Sequence, residues 1–209
     1  GRAGGGLGAF PCNIASQFTS ACLRIWNYLM ALRLTLIAHA RTIAQKKARF
    51  AADESVEMDG QAPAHSRNLF SSRTTRYLCG PEARTRETAA LFSADAQLDH
   101  GLRDFGRWKG CLLDDIEPEV LGVWMADWQA TPHGGESVEQ LCQRTGEWMA
   151  ALTGRGHIVA VTHPLVMRAA LMNVLQCPPS AFHAIDIEPL SMIDLRHNGK
   201  WRMRVSPSP

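Results

Sequence analysis

The chain has 209 residues, of which 45% are hydrophobic and 20% are charged, and its formal net charge is +2. This length and composition predict one globular domain, or one domain with an extension. The balanced charge and the absence of a run of five basic residues argue against nucleic acid or an acidic membrane surface as a partner.

The first 29 residues differ from the rest of the chain. Residues 1–11 are rich in glycine, and residues 15–30 carry apolar side chains at helical spacing. The second stretch is too short and too polar for a membrane span, and the glycines lack the preceding strand and the Lys-Ser/Thr pair of a phosphate loop. We therefore expect residues 1–29 to be an appendage and residues 30–209 to form the functional domain.

From residue 32 onward, strand patterns alternate with helical patterns. Short apolar runs predict buried strands at residues 32–38 (LRLTLIA) and 157–163 (HIVAVTH). The turn signal Asn198-Gly199 predicts a hairpin of two further strands within residues 191–205. Helical patterns with proline in the first turn, or with a Ser-x-x-Gln capping box, predict helices at residues 81–92, 137–152 and 164–176.

This alternation predicts an α/β fold with three layers, in which helices cover both faces of a mostly parallel central sheet. Ligands of such sheets bind just beyond the carboxyl ends of the strands. The two predicted buried strands end at His39 and His163. We therefore expect both imidazoles to project into the same crevice.

Arg84 falls in the first turn of the helix predicted from residue 81. Two imidazoles and a guanidinium would form a pocket for a dianion. An imidazole nitrogen can attack phosphorus and carry the phosphoryl group, and arginine binds phosphate oxygens through a planar fork. Ala38 and Ala40 leave room for the anion, and a helix beginning after Thr42 would point its N-terminal amides at it. Because phosphoryl transfer needs mainly positioning and charge neutralisation, these residues would suffice without a metal or another cofactor.

Five segments, in this order, resemble the histidine phosphatase superfamily, the phosphoglycerate mutase-like proteins, and especially its short phosphatase branch: LTLIAHART, GPEARTRETA, LRDFGRWKG, PHGGES and VAVTHPLVMRAAL. The resemblance covers residues 32–205 and implies the phosphoglycerate mutase-like form of the three-layer fold. It implies that His39 is the nucleophile and that His163 and Arg84 contact the phosphoryl group. The pair Arg49-Phe50 also fits a family element.

The chain departs from the family pattern around the nucleophile. Ala38 and Ala40 stand where the family has arginine and glycine. The missing arginine removes a charge-assisted contact of about 1.5–3 kcal/mol. Arg41 is the candidate replacement, and we expect it to bind phosphate together with Thr42. A second departure places Gly80 and Glu82 where serine and leucine are usual, which would put a negative charge near the rim of the pocket.

A third departure concerns the general acid, which the family places in a Leu-x-Glu element a few residues before a glycine. If Leu102 is aligned with that leucine, Asp104 becomes the acid; if Gly106 is aligned with the glycine, Leu102 takes the position of the acid and no acid remains. We favour Asp104. Glu136 is the reserve candidate because its Gly-Gly-Glu-Ser element borders the pocket in this family, and Ser137 is expected to support the same region.

The sequence therefore predicts a phosphomonoester phosphatase of the histidine acid type, which acts on a small phosphorylated metabolite through a phosphohistidine. One alternative is a weakened pseudo-phosphatase that only binds phosphorylated ligands, and a third interpretation is a phosphoglycerate-type mutase. We expect neither nucleic acid nor a membrane as a partner, and the tryptophan-rich stretches would permit a homodimer.

Other conspicuous residues are interpreted as structural. Six cysteines without a C-x-x-C pair are typical of reduced thiols, which predicts a cytoplasmic protein. The tryptophans are expected to pack in the core or at the rim of the pocket. The remaining histidines show no spacing typical of metal ligands, so no metal site is predicted.

Overall fold

The computed structural model describes residues 31–57, 70, 74–104 and 108–205. The segment predicted to be an appendage, residues 1–29, lies outside these described residues. Among the residues that are described, no helix is both long enough and apolar enough to cross a membrane.

The described residues form one six-stranded sheet with the strand order β3-β2-β4-β1-β5-β6. The first four strands in this order are parallel, and the last two run antiparallel to their neighbours. This confirms the predicted mostly parallel sheet. The strands are β1 (Leu32–Ala38), β2 (Thr75–Cys79), β3 (Gln97–Leu98), β4 (Gly156–Thr162), β5 (Met192–His197) and β6 (Trp201–Arg204).

The three predicted helices are confirmed, each slightly shorter than its sequence pattern. The α-helices are α1 (Ile43–Lys46), α2 (Ala83–Ala90), α3 (Pro118–Ala126), α4 (Val138–Ala151) and α5 (Pro164–Leu175). Short 3₁₀ helices lie at His100–Leu102, Leu113–Asp115 and Pro179–Ala184.

The helix expected after Thr42 is a single turn. Helix α1 has four residues. It ends because Ala48 adopts a left-handed backbone conformation, with φ of 46°, and Arg49 then forms an antiparallel bridge with Leu112. A helix of this length has little dipole to direct at an anion, because the macrodipole builds up over several turns.

Alternate side chains of the central strands enter two different parts of the core. Leu34 and Leu36 of β1 and Ile158 of β4 pack with Trp148 of α4 and Met167 of α5. On the opposite face, the side chains that pack together come from three strands and from the region of α2: Ile37, Cys79, Ala89, Phe92, Val159 and Val161. Helices therefore cover both faces of the sheet. Both faces need this cover because successive side chains of a strand point to opposite faces, and these strands carry apolar side chains on each.

The register of the parallel strands places three chain segments side by side at one end of the sheet. Ala38 pairs with Thr162, and the His39 N–H donates to the Thr162 carbonyl at 2.9 Å. On the other side of β4, the Gly80 N–H donates to the Val161 carbonyl at 3.1 Å. The residues that follow β1, β2 and β4 thus meet at the carboxyl ends of neighbouring strands.

Candidate active site

His39 is buried at the end of β1, and a backbone contact fixes its protonation. Its side-chain Nδ1 lies 2.8 Å from the carbonyl oxygen of Ala40. Because a carbonyl only accepts hydrogen bonds, Nδ1 carries the proton and donates it, which leaves the lone pair on Nε2. Burial lowers the pKa of His39 to about 3, and the charges of His163 and Arg84 act in the same direction. The ring is therefore neutral at neutral pH, as a nucleophile must be.

His163 follows β4 and contacts His39 edge to face, with the ring centroids 5.3 Å apart. Its Nε2 lies 2.9 Å from Oε2 of Glu82, and only 3% of the His163 side chain is exposed. Its other nitrogen, Nδ1, is buried and has no hydrogen-bond partner among the described residues. Burial alone would raise the pKa of Glu82, but the hydrogen bond and charge of His163, together with the Asp104 amide, hold it at about 2.

Arg84 lies in the first turn of α2, and its side chain is 1% exposed. Its Nη1 donates to the Ala52 carbonyl at 2.6 Å, and its Nη2 donates to Oδ2 of Asp104 at 2.5 Å. The charges of Arg84 and Asp104 both act on the pKa of His39, the first lowering it and the second raising it. The structure therefore brings together His39, His163, Arg84 and Asp104, which the sequence analysis had taken from four separate segments.

A threonine of α2 connects the segment after His39 to the helix that carries Arg84. The Thr88 hydroxyl accepts a hydrogen bond from the Ala40 N–H at 2.9 Å and donates to the Arg84 carbonyl at 2.7 Å. Thr88 is fully buried. This contact keeps His39 and Arg84 in a fixed relation, which electrostatic catalysis by preorganised groups requires.

His39, His163, Arg84 and Asp104 line one cavity of about 170 Å³. Three further polar side chains, Gln45, Arg49 and Lys109, line it with them. Arg49 also pairs with Glu54 at 2.7 Å.

Arg41 and Thr42, the expected phosphate ligands, do not line this cavity. The Arg41 carbonyl accepts a hydrogen bond from Glu57, and Thr42 is buried at the start of α1, where its N–H donates to Gln45 Oε1 at 3.1 Å. The sequence analysis chose Arg41 because it follows closely after Ala38, which stands where the family has arginine. Arg49 and Lys109 are cations that do line the cavity.

Glu136 and Ser137 do not line the cavity, and both make structural contacts beside it. Both Glu136 oxygens accept from Arg144, at 2.7 Å each, and the Arg144 guanidinium also donates to the carbonyls of Gly101 and Arg103 at 2.6 and 3.1 Å. Glu136 thus orients the arginine that holds the segment leading to Asp104. The Ser137 hydroxyl accepts from the Gln140 N–H at 3.1 Å, which confirms the predicted capping box of α4.

Part of the cavity wall is aromatic. The Trp108 ring lies 5.3 Å from Phe50, 5.8 Å from Trp124 and 5.2 Å from His133, measured between centroids, and all four side chains line the cavity. Trp124 also packs in the core against α4, as was expected for the tryptophans. The planes of the contacting rings are inclined by 47–76°, which is the tilted to edge-to-face packing that aromatic side chains prefer.

Glu82 is the residue whose place the sequence analysis misjudged. It was expected as a charge at the rim, but it is 8% exposed and contacts His163 directly. The signal in the sequence was its departure from the usual leucine. No cluster of three or more potential metal ligands occurs among the described residues.

Several solved structures similar to this chain are described as phosphatases. Phosphoserine phosphatase from Entamoeba histolytica, in a mutant form with phosphoserine, gives a TM-score of 0.73 at 16% identity, covering 83% of this chain and 95% of its own. Mycobacterial glucosyl-3-phosphoglycerate phosphatase with vanadate gives 0.69 at 24% identity, covering 83% and 97%. A candidate α-ribazole-5'-phosphate phosphatase from Escherichia coli gives 0.71 at 23% identity, covering 85% and 97%.

At these identities the similar structures establish the fold. Comparison with curated protein sequences gives no match. The family model described as histidine phosphatase superfamily (branch 1) matches residues 34–206, which include strands β2 to β6, β1 from its third residue onward, and all the residues that line the cavity. With that match over most of its length, the chain belongs to the histidine phosphatase superfamily, branch 1.

Proposed function

We propose that the protein is a phosphomonoester phosphatase that works through a phosphohistidine on His39. The observation that carries this proposal is the convergence of His39, His163, Arg84 and Asp104 on one cavity, although they come from four separated segments. His39 is neutral with its lone pair on Nε2, and Arg84 and His163 offer donors for the phosphate oxygens. The phosphatases among the similar structures support the same reaction class.

The reaction proceeds in two displacements. Before the first, Asp104 is released from its ion pair with Arg84 and takes a proton from solvent. His39 Nε2 then attacks phosphorus, the bond from phosphorus to the alcohol oxygen breaks, and the protonated Asp104 gives its proton to that oxygen. A water molecule then attacks the phosphohistidine, Asp104 takes a proton from it, and phosphate leaves with His39 restored. In both steps Arg84 and His163 neutralise the equatorial oxygens, which is the main requirement of phosphoryl transfer.

The aromatic wall supports a substrate whose alcohol portion has an apolar or aromatic face. Phe50, Trp108, Trp124 and His133 line the same cavity as the reactive groups, so the group esterified to the phosphate would lie against them. Burial of such a face releases water from the rings, at about 25 cal/mol per Å² of apolar surface. Phosphomonoesters with aromatic alcohols are therefore preferred over those of small polyols.

A phosphate-release screen over such esters, with wild-type protein and His39→Ala in parallel, tests the proposal. We expect release by the wild type, without any bisphosphate primer, and its loss in the variant. Release that needs a primer would favour a mutase.

The second candidate is a pseudo-phosphatase, which is favoured by one observation: the buried Ala38 in place of the family's arginine. Such a protein would bind vanadate in the cavity and release no phosphate from any ester. Trapping a phosphorylated histidine by rapid acid quench, and its absence in His39→Ala, would decide in favour of the enzyme.

A further inference from the structure

Glu82 makes two buried contacts that connect the second histidine to the general-acid segment. Its Oε1 accepts a hydrogen bond from the Asp104 N–H at 2.9 Å, and its Oε2 lies 2.9 Å from His163 Nε2. A leucine, the usual residue of the family here, could make neither contact. The chain therefore has a polar link where the family pattern has an apolar side chain.

The neighbouring departure, Gly80, gives the carboxylate its space. A Cβ atom at position 80 would lie 3.0 Å from Glu82 Oε2, 2.9 Å from the Leu102 carbonyl oxygen and 3.2 Å from the Thr85 hydroxyl. These separations are shorter than ordinary van der Waals contact, so a side chain at position 80 would displace the carboxylate. The two departures are thus structurally coupled.

The contacts of Glu82 fix where the proton of His163 lies. A carboxylate only accepts hydrogen bonds, so His163 Nε2 carries a proton and donates it. The low pKa of Glu82, about 2, is consistent with a carboxylate that keeps its charge although it is buried. His163 Nδ1 then has either a lone pair or a second proton, and it has no partner among the described residues although the ring lines the cavity.

We propose that Glu82 is a positioning residue that keeps a proton on His163 Nε2 and balances the charge of the doubly protonated ring, so that His163 binds the phosphoryl group through Nδ1–H as a cation. This inference rests on the proposed function. A phosphate oxygen accepts hydrogen bonds, so Nδ1 can contact it only when protonated. With Nε2 already protonated towards Glu82, that ring is an imidazolium.

The charges around His163 agree with this assignment. It faces the neutral ring of His39 from β1, the ion pair of Arg84 and Asp104 from α2 and the segment after Leu102, and the Glu82 carboxylate. Of the ion pairs between described residues, the one that His163 makes is with Glu82. The imidazolium thus replaces part of the positive charge that is lost with arginine at position 38.

The decisive variant is Glu82→Gln, which has the same shape. Because the Asp104 N–H holds one oxygen of Glu82, it would hold the amide oxygen of the glutamine and turn the NH₂ group towards His163. His163 Nε2 would then have to accept, and the ring proton would move to Nδ1. Glu87→Gln is the matched control, since Glu87 lies on α2, the helix whose N-cap residue is Glu82, but binds the Ser55 hydroxyl and the Val56 N–H.

Two readouts test the proposal: ¹⁵N NMR of the imidazole nitrogens of His163 and the affinity for inorganic phosphate. We expect Nε2 to be protonated in the wild type, both nitrogens to be protonated in the phosphate complex, and the proton to lie on Nδ1 alone in Glu82→Gln. Phosphate should bind about tenfold more weakly to that variant, because the imidazole that donates to the phosphate oxygen loses its positive charge. Glu87→Gln should match the wild type in both readouts.

An unprotonated Nε2 in the wild type would overturn the proposal, as would an unchanged ring spectrum or unchanged phosphate affinity in Glu82→Gln. The spectrum is read without turnover. A wild-type protein that shows the expected spectrum but hydrolyses no ester would therefore contradict the proposed function and leave the assignment of the His163 protons in place.

Discussion

Arg84 and Asp104 form an ion pair in the candidate active site, with Arg84 Nη2 2.5 Å from Asp104 Oδ2 and the guanidinium side chain 1% exposed. Arg84 Nη1 is occupied by the Ala52 carbonyl, and Nε has no partner among the described residues. A bidentate phosphate contact through Nε and Nη2 therefore requires Asp104 to give up Nη2. This exchange would couple phosphate binding to the release of the proposed general acid towards the leaving oxygen.

Asp104→Asn should slow the hydrolysis of alkyl phosphates far more than that of aryl phosphates with acidic phenols. An alkoxide needs a proton as it leaves, and a general acid contributes roughly 10²–10⁴-fold, whereas a nitrophenolate leaves without one. Steady-state kcat for the two ester types in wild type and variant provides the measurement. An equal loss for both types would mean that Asp104 does not protonate the leaving group.

Arg84→Lys should weaken vanadate and phosphate binding by roughly 10- to 100-fold, since a hydrogen bond to a charged group contributes about 1.5–3 kcal/mol. Lysine retains the charge but has no planar fork, so it cannot bind two oxygens side by side. Competitive inhibition constants for vanadate measure the effect. Arg76→Lys is the control, because Arg76 is exposed, lies outside the cavity and donates to the Thr153 carbonyl. Comparable losses in both variants would argue against a specific phosphate contact of Arg84.

The strands that carry the two histidines could be predicted because β1 and β4 are buried on both faces. Each is a continuous apolar run, and the register that joins Ala38 to Thr162 brings the following histidines together. Strand β2 was not predicted, since Arg76 is exposed and the run Thr75–Cys79 has no continuous apolar pattern. The pairing of β2 with β4 depends on tertiary contacts, and this pairing positions Gly80 and α2.

The contact between Glu82 and His163 spans 81 positions of the chain and follows from the adjacency of β2 and β4. No local pattern encodes such a pair. Arg41 was expected to replace the arginine missing at position 38, but closeness in sequence to His39 does not determine which side chains line the cavity, and Arg41 does not line it. The sequence thus indicated which residue types would meet at the site, whereas the pairing between them depends on tertiary contacts.

Trp108→Leu should raise KM for aryl phosphates by about tenfold and leave KM for glycerol phosphate within twofold. The ring of Trp108 contacts Phe50, Trp124 and His133 in the cavity wall, and its loss would remove an aromatic contact of about 0.5–1.5 kcal/mol. Trp128→Leu is the control. Like Trp108, Trp128 packs against the core cluster that contains Trp124 and residues of α4, but it does not line the cavity. Equal effects on both substrates would contradict the aromatic subsite.

Ser137→Ala should lower the free energy of unfolding by about 1 kcal/mol, in the range of 0.5–2 kcal/mol for a lost N-cap, and leave kcat/KM unchanged. The hydroxyl caps α4 through the Gln140 N–H and lies outside the cavity. Urea titration and steady-state kinetics on the same preparation separate the two effects. A loss of kcat/KM at unchanged stability would instead place Ser137 in the reaction.

The burial of neutral His39 predicts a specific pH dependence of stability. Burial, together with the His163 and Arg84 charges, lowers the pKa of His39 from 6.5 to about 3 in the folded protein. Between these values the unfolded chain binds a proton that the folded chain does not, so the free energy of unfolding rises with pH up to about 6.5 and is then flat. From pH 7 to pH 5 the contribution of His39 to the free energy of unfolding should fall by about 2 kcal/mol.

The variant His39→Asn lacks this contribution, so the difference in free energy of unfolding between wild type and variant should shift by that amount. Other buried histidines such as His157 are present in both proteins, so their contributions cancel. Urea titrations at the two pH values measure the shift, and parallel curves would show that His39 takes up its proton as readily in the folded protein as in the unfolded chain.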